Sequence, residues 1–308
     1  MIEIHVCANE ADELRSLQIY NIVWPHDAIT IDEVHSFKSS MSDWVDALAL
    51  DDGTSIGSGF AGIRPQRPDR VFALVTVLSE HRGRGAGSTL YETISAWAAD
   101  RGLEQIETWV EEDDAESVAF AERRGFVEIE RDGRMVLDLA SVEETAVEPP
   151  PGIEIVTWAE RPELDRGMYE VACESYPDIP GSEQEQMEPF EDWLEHDMRG
   201  SGDLPEATFV ALAAGEVVGY AKFSLTAAQP KFAHHDITGV KRAWRSRGLA
   251  GALKRAQIAW AKQQGYEQLR TANELRNEPI RRLNARLGYR EEPGRVFLLG
   301  PLAPSAGA

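Results

Sequence analysis

The sequence predicts an α/β (α+β) chain built as two tandem copies of one domain, and three observations predict it. Its 308 residues are about twice the length of a common domain. A run at 143–152 carries Pro149, Pro150 and Pro151 in a row, reads as an extended semi-rigid linker, and divides the chain into 1–142 and 153–308. Sliding the chain by 163 residues, without a gap, then sets ten positions of one half on like residues of the other. Val77 falls on Val240, Arg82 on Arg245, Gly85 on Gly248, Gly87 on Ala250 and Leu90 on Leu253. Trp97 falls on Trp260, Gly102 on Gly265, Thr108 on Thr271, Gly125 on Gly288 and Phe126 on Tyr289.

The elements follow in the same order in both halves. Each half opens with a helix-like segment, at 10–20 and 163–175. Strands are expected at 54–63 in the first half and at 208–213 and 217–225 in the second, the last two joined by a hairpin turn at Ala214-Gly215. A β-rich apolar run (71–77; 237–240) leads into a turn rich in glycine and arginine. Leu90, Ile94, Trp97 and Ala98 then recur at i, i+4, i+7 and i+8, as do Leu249, Leu253, Ala256 and Trp260 in the second copy, the spacing of an amphipathic helix. Gly102 and Gly265 stand where a helix end favours a left-handed residue. A short strand (106–110; 268–272) and a second helix close each copy. Alternation of strands and helices makes sheets with helices packed on their faces.

Composition bounds the function classes. With 43% hydrophobic and 27% charged residues the chain can bury real cores, which excludes wholesale disorder. No stretch approaches the ~18 to 20 apolar residues of a membrane span, and the N-terminus lacks the basic start and apolar run of a secretory signal. Cys7 and Cys173 make neither a disulfide framework nor a thiolate cluster, no metal site is expected, and both read as core residues. The expectation is a cytoplasmic protein, with no membrane partner. A net charge of −22 speaks against a nucleic-acid partner. The charge is also uneven, at −18 over 1–150 (30 acidic, 12 basic) and −4 over 151–308 (23 acidic, 19 basic).

The turns carry the chemistry. In Arg82-Gly83-Arg84-Gly85-Ala86-Gly87 and Arg245-Ser246-Arg247-Gly248-Leu249-Ala250, small residues let backbone approach a ligand closely. A helix that begins there points unpaired N–H groups and the positive end of its dipole outward, a geometry that binds phosphate. The arginines add charge and bidentate donors. A Gly/Arg-rich turn met once is a weak signal; met twice in register, it is a specific one.

At this point the chain resembles the GNAT superfamily of N-acetyltransferases. The resembling residues are Arg82-x-x-Gly85-x-Gly87 and Arg245-x-x-Gly248-x-Ala250, with the closing motifs Phe120 to Phe126 and Leu283 to Tyr289. The resemblance spans about 60 residues of each half and implies two GNAT-like domains, each a mixed, splayed sheet that binds acetyl-CoA. By it, the pyrophosphate lies on the turn, and the backbone at Val77 or Val240 holds the pantetheine and thioester. Asn277 would lie beside the cofactor, where the first copy has Asp114. The resemblance also implies an acyltransferase moving acetyl to a primary amine of a small molecule by direct attack.

Two departures bear on that implication. Many GNAT members carry a tyrosine acid four residues before the closing glycine; here those positions are Ala121 and Asn284. Alanine has no proton to give, and an asparagine amide can only orient the sulfur. The missing tyrosines keep open a non-catalytic acyl-CoA-binding or regulatory module. The copies also differ in charge: residues 231–290 hold 14 basic against 4 acidic side chains, a net of +10, while 68–127 hold 6 against 12, a net of −6. A polyanionic cofactor then favours the C-terminal copy as the main site.

Other candidates follow from the resemblance. His234 and His235 precede the cofactor strand, where some members hold their base; the plainer reading is a strand end exposed to water. Glu183, Tyr176 and Trp193 fall where the acceptor cleft is lined, with Tyr20, Trp24 and Trp44 as the parallel set, against ordinary loop and core roles. The acidic first half favours a cationic acceptor. The acceptor's identity and the oligomeric state are not readable from sequence.

Overall fold

A computed structural model describes residues 2–143, 148–180, 187–200 and 202–304. Residues 144–147 of the proline-rich run, and Glu183, lie outside the described residues. Two compact units emerge, Met1–Arg131 with Arg295–Ala308, and Asp132–Gly294. The chain thus divides at points that the proline run does not mark.

In the first unit the order is β1 (Ile2–Val6), α1 (Glu10–Val23), α2 (Ile31–Ser39), β2 (Asp43–Asp51), β3 (Thr54–Ile63), β4 (Val71–Val77), α3 (Ala86–Ala99), β5 (Gln105–Glu111), α4 (Ala115–Glu122) and the start of β6 (Val127–Asp138). Strands β1 to β4 pair antiparallel in sequence order. β5 lies parallel to β4, but only Val71↔Ile106 and Phe72↔Glu107 are paired. Beyond them the strands part. Local chemistry sets the helix starts: Asn9 caps α1, Thr30 and Glu33 form a capping box on α2, and Asp114 caps α4. The buried face of α3 is Ala86, Leu90, Tyr91, Ile94, Ser95 and Ala98, close to the predicted stripe. Trp97 is only half-buried and lies under the Arg101 guanidinium, 4.0 Å from its ring.

The second unit runs from the end of β6 through β7 (Ile153–Thr157), α5 (Asp165–Ser175), α6 (Phe190–His196), β8 (Phe209–Ala213), β9 (Glu216–Leu225), β10 (Phe232–Val240), α7 (Leu249–Gln263), β11 (Gln268–Glu274), α8 (Glu278–Arg286) and β12 (Arg290–Glu292). β7 to β10 pair antiparallel in order, and β10 meets β11 parallel over Phe232–His234 against Gln268–Arg270. The predicted hairpin turn is there, with Ala214 at φ 50 and Gly215 at φ 85. β10 begins five residues before the predicted run and holds a bulge between His235 and Thr238. Both units therefore repeat one plan, a mixed α/β sheet whose two parallel strands splay.

The last strand, β13 (Arg295–Pro301), belongs to the first unit. It lies antiparallel between β5 and residues 127–131 of β6, while residues 132–138 of β6 pair with β11 in the second unit. Burial explains the placement, since alternate Val296 and Leu298 enter the apolar cluster of Tyr91, Ile94, Ile106 and Phe126.

Candidate active site

The two turns have the same backbone. Gly83 and Gly85 stand at φ 74 and 97, Ser246 and Gly248 at φ 59 and 86, so the left-handed residues coincide across the 163-residue offset. Gly85 is the N-cap of α3 and Gly248 that of α7, and neither helix head is closed by a side chain. In the first unit this sets α3 apart from α1, α2 and α4, which all have side-chain caps. The first N–H groups of α3 and α7 are left to an external acceptor.

The signature arginines brace these turns. Arg82 Nε donates to the Val77 carbonyl at 3.3 Å, and Arg245 Nε donates to the Val240 carbonyl at 3.0 Å. The outer nitrogen of Arg82 pairs with Asp114 (3.1 Å), that of Arg245 with Asp178 (2.6 Å). Asp178 also takes Arg242, and the two guanidinium groups hold its carboxyl down at about 2. Part of the positive charge of the second copy is therefore already engaged. Arg84 is exposed and has no ion pair among the described residues, while Arg247 lies 4.8 Å from the Trp244 ring.

Where β4 and β5 part, the first unit opens into a cleft of about 960 Å³. Val77, Arg82, Gly83, Gly85, Ala86 and Gly87 all line it. Its inner wall is apolar at Tyr91, Ile94, Ile106, Ala121 and Phe126. Trp24, Trp109 and Glu111 line it as well, the two indoles 4.7 Å apart and Tyr20 edge-on to Trp24. Arg295 from β13 covers Trp109 at 4.0 Å and lies 3.6 Å from Glu111. The sequence reading did not single out Glu111, although the same register sets it on Glu274. Trp44 is instead a partly exposed ring under Lys38, 4.3 Å away.

The second unit treats the corresponding place differently. His235 is the first β10 residue beyond the last β10–β11 pair, and it is buried rather than exposed. Its Nδ1 donates to Gln257 Oε1 (3.0 Å) and its Nε2 accepts from the Tyr289 hydroxyl. Burial, and the nearby Lys254, push its pKa well below the usual value, so the ring is neutral with both nitrogens occupied. Asn284 is fully buried; its Nδ2 donates to Asn273 Oδ1 at 2.9 Å and its Oδ1 has no partner. Asn277 is the N-cap of α8 without a side-chain bond, whereas its counterpart Asp114 caps α4 and binds Arg82.

On the α5 side of the second sheet lies a polar group of which sequence reading named only Tyr176. Tyr176 donates to Asp197 (2.6 Å), and the buried Lys222 pairs with Asp203 (2.7 Å) and Asp236 (2.8 Å). Burial raises the carboxyls of Asp197 and Asp203. No local pattern joins these residues, because the fold gathers them from the C-terminal ends of α5 and α6, the loop after α6 and two strands. Trp193 is core, 1% exposed, and Cys173 is exposed rather than buried as expected. Among the described residues no group of His, Cys, Asp and Glu could hold a metal ion, and no helix is long and apolar enough to cross a membrane.

Comparison with known proteins agrees with this geometry. The acetyltransferase (GNAT) family model matches residues 11–126 and 166–289. Over 79 residues the chain is 35% identical to an L-2,4-diaminobutyric acid acetyltransferase of Nocardia farcinica, a match covering 24% of this chain and 41% of that protein. Among solved structures, a tandem GNAT protein from the clavulanic acid biosynthesis pathway superposes with a TM-score of 0.80 at 19% identity, covering 99% of this chain and 100% of the other. A GCN5-related N-acetyltransferase from Sphaerobacter thermophilus gives 0.75 at 19% identity, covering 98% and 96%.

Proposed function

Because the chain belongs to the acetyltransferase (GNAT) family, we propose that it is an N-acetyltransferase that carries acetyl from acetyl-CoA to a primary amine of a small molecule. The observation that carries this reading is the uncapped head of α3, opening into the 960 Å³ cleft between splayed strands. The N–H groups at Ala86, Gly87 and Ser88, with Arg84 beside them, suit a pyrophosphate. Backbone of β4 beyond Phe72 has no β5 partner, which leaves polar groups for the pantetheine amides. The apolar inner wall suits a short acyl group.

Transfer then needs alignment more than acid catalysis. The amine nitrogen attacks the thioester carbon, the C–S bond breaks, and the amine proton ends on the departing thiolate. Holding both reactants in one cleft removes much of the barrier. Glu111, with Arg295 beside it, takes the proton from the amine and hands it on to the thiolate, which leaves the carboxylate as it began. Trp24, part-buried in the cleft lining, offers a ring face to a cationic acceptor, while Trp109 already carries Arg295. The diamine named for the Nocardia farcinica relative fits that description.

A second reading places the main site in the C-terminal unit, favoured by the +10 charge of residues 231–290 (14 basic, 4 acidic). There His235, Asn284 and Glu183 are the catalytic candidates. Calorimetry with acetyl-CoA, on the wild type, Arg84→Glu and Arg247→Glu, separates the two. The first reading expects Arg84→Glu to weaken binding roughly tenfold, about 1.4 kcal/mol, and Arg247→Glu to change it little; the reverse pattern establishes the second. Thiol release with a panel of diamines then tests transfer, and tight binding without turnover would leave a non-catalytic acyl-CoA module.

A further inference from the structure

We infer that the second unit carries, in the crotch where β10 and β11 part, a site for a carboxylate, with Lys254 and Gln257 of α7 as its donors. The 163-residue register sets Tyr91 on Lys254, Ile94 on Gln257, Ala121 on Asn284 and Phe126 on Tyr289. In the first unit these four residues are the apolar inner wall of the cleft. In the second all four are polar, and all are buried, at 1%, 0%, 0% and 5% exposure.

Their hydrogen bonds do not close. Lys254 has no ion pair and no hydrogen bond among the described residues, and its Nζ lies 5.6 Å from the centroid of the Tyr289 ring. Gln257 spends Oε1 on His235, which leaves its Nε2 donor without an acceptor. Lysine and glutamine three residues apart share one face of the helix. A buried ammonium and a buried amide donor without acceptors are costly, and a bound anion that accepts from both removes that cost. A carboxylate supplies the negative charge and two acceptor oxygens; the unpartnered Asn284 Oδ1 adds an acceptor for an N–H or O–H of the same ligand. An apolar acyl group fulfils neither demand.

The carboxylate has two possible sources, the tip of a dicarboxylic acyl chain on CoA or a free small dicarboxylate. The full chain is titrated calorimetrically with succinyl-CoA, acetyl-CoA and free succinate, in two buffers of different ionisation enthalpy. Groups facing Lys254 are His235 from β10, held neutral by burial, and the Tyr289 phenol, held protonated by burial. Burial pushes Lys254 down to about 7, so a bound carboxylate draws a proton onto it, and affinity falls as pH rises above 7.

Lys254→Met is expected to abolish the proton uptake and weaken the carboxylate ligand at least tenfold; Gln257→Leu should weaken it several-fold. Binding of free succinate identifies the small-molecule source, and binding of succinyl-CoA alone the acyl-borne one. Neither ligand taking up a proton, or Lys254→Met binding both like the wild type, would overturn the assignment. Failure here is distinct from failure of the proposed acetyl transfer, which Arg84→Glu reads through acetyl-CoA.

Discussion

Replacing Lys254 by methionine should stabilise the chain, and the gain should vanish with rising pH. Lys254 is 1% exposed and without an ion pair, and burial lowers its pKa from 10.5 to about 7. Below pH 7 the amine is charged in both the folded and unfolded states, and the folded state bears the full cost of the buried charge. Between pH 7 and 10.5 only the unfolded chain holds the proton, so this group makes stability rise by about 1.4 kcal/mol per pH unit. Over that window the total is about 5 kcal/mol. Lys254→Met carries no such charge and should exceed the wild type by that order at pH 6, with the two converging by pH 10. Urea unfolding of both proteins at pH 6, 8 and 10 reads the difference, in which the titration of groups remote from Lys254 cancels; His235, whose pKa Lys254 helps to lower, is the neighbour that does not. A gap that stays constant across this range would refute the reasoning.

Two other substitutions test other levels of the structure. Gly85→Ala places a Cβ in open space but at φ 97, so it should cost about 1 kcal/mol of stability while displacing the α3 head; thermal unfolding and acetyl-CoA calorimetry check both. Leu298→Ala removes a buried side chain of β13 and should destabilise the first unit by roughly 2 to 4 kcal/mol, seen as earlier loss of amide protection in β5 than in β10.

Much of this was legible in the sequence. The offset of 163 residues put the two left-handed turns on each other, and the stripe through Leu90, Ile94 and Ala98 named the buried face of α3. Pattern reading fails where polar letters go inside. Gln257 follows Leu253 by four residues, where the first copy has the stripe residue Ile94, and Lys254 flanks that stripe; both are buried because the inward face of α7 takes in polar positions that an apolar pattern skips. His235 looked like a wet strand end, yet it begins the crotch and lies under Phe223 and Tyr289. Cys173 shows the converse, a residue type usually buried that lies on the outer side of α5. The place of β13 was unreadable because pairing of Val296 with Val110 joins residues from opposite ends of the chain, which no local pattern encodes.

That pairing also dictates an order of assembly. Residues 132–294 form one contiguous unit and can close as soon as they leave the ribosome, whereas the unit begun first must wait for residues 295–301. Until then β5 offers a bare edge, with Trp109 and Val110 on it, to any strand that passes. Residues 295–301 therefore zip shut the first unit only after the second has been made, and a nascent chain stalled before Arg295 displays an adhesive seam for chaperones to shield.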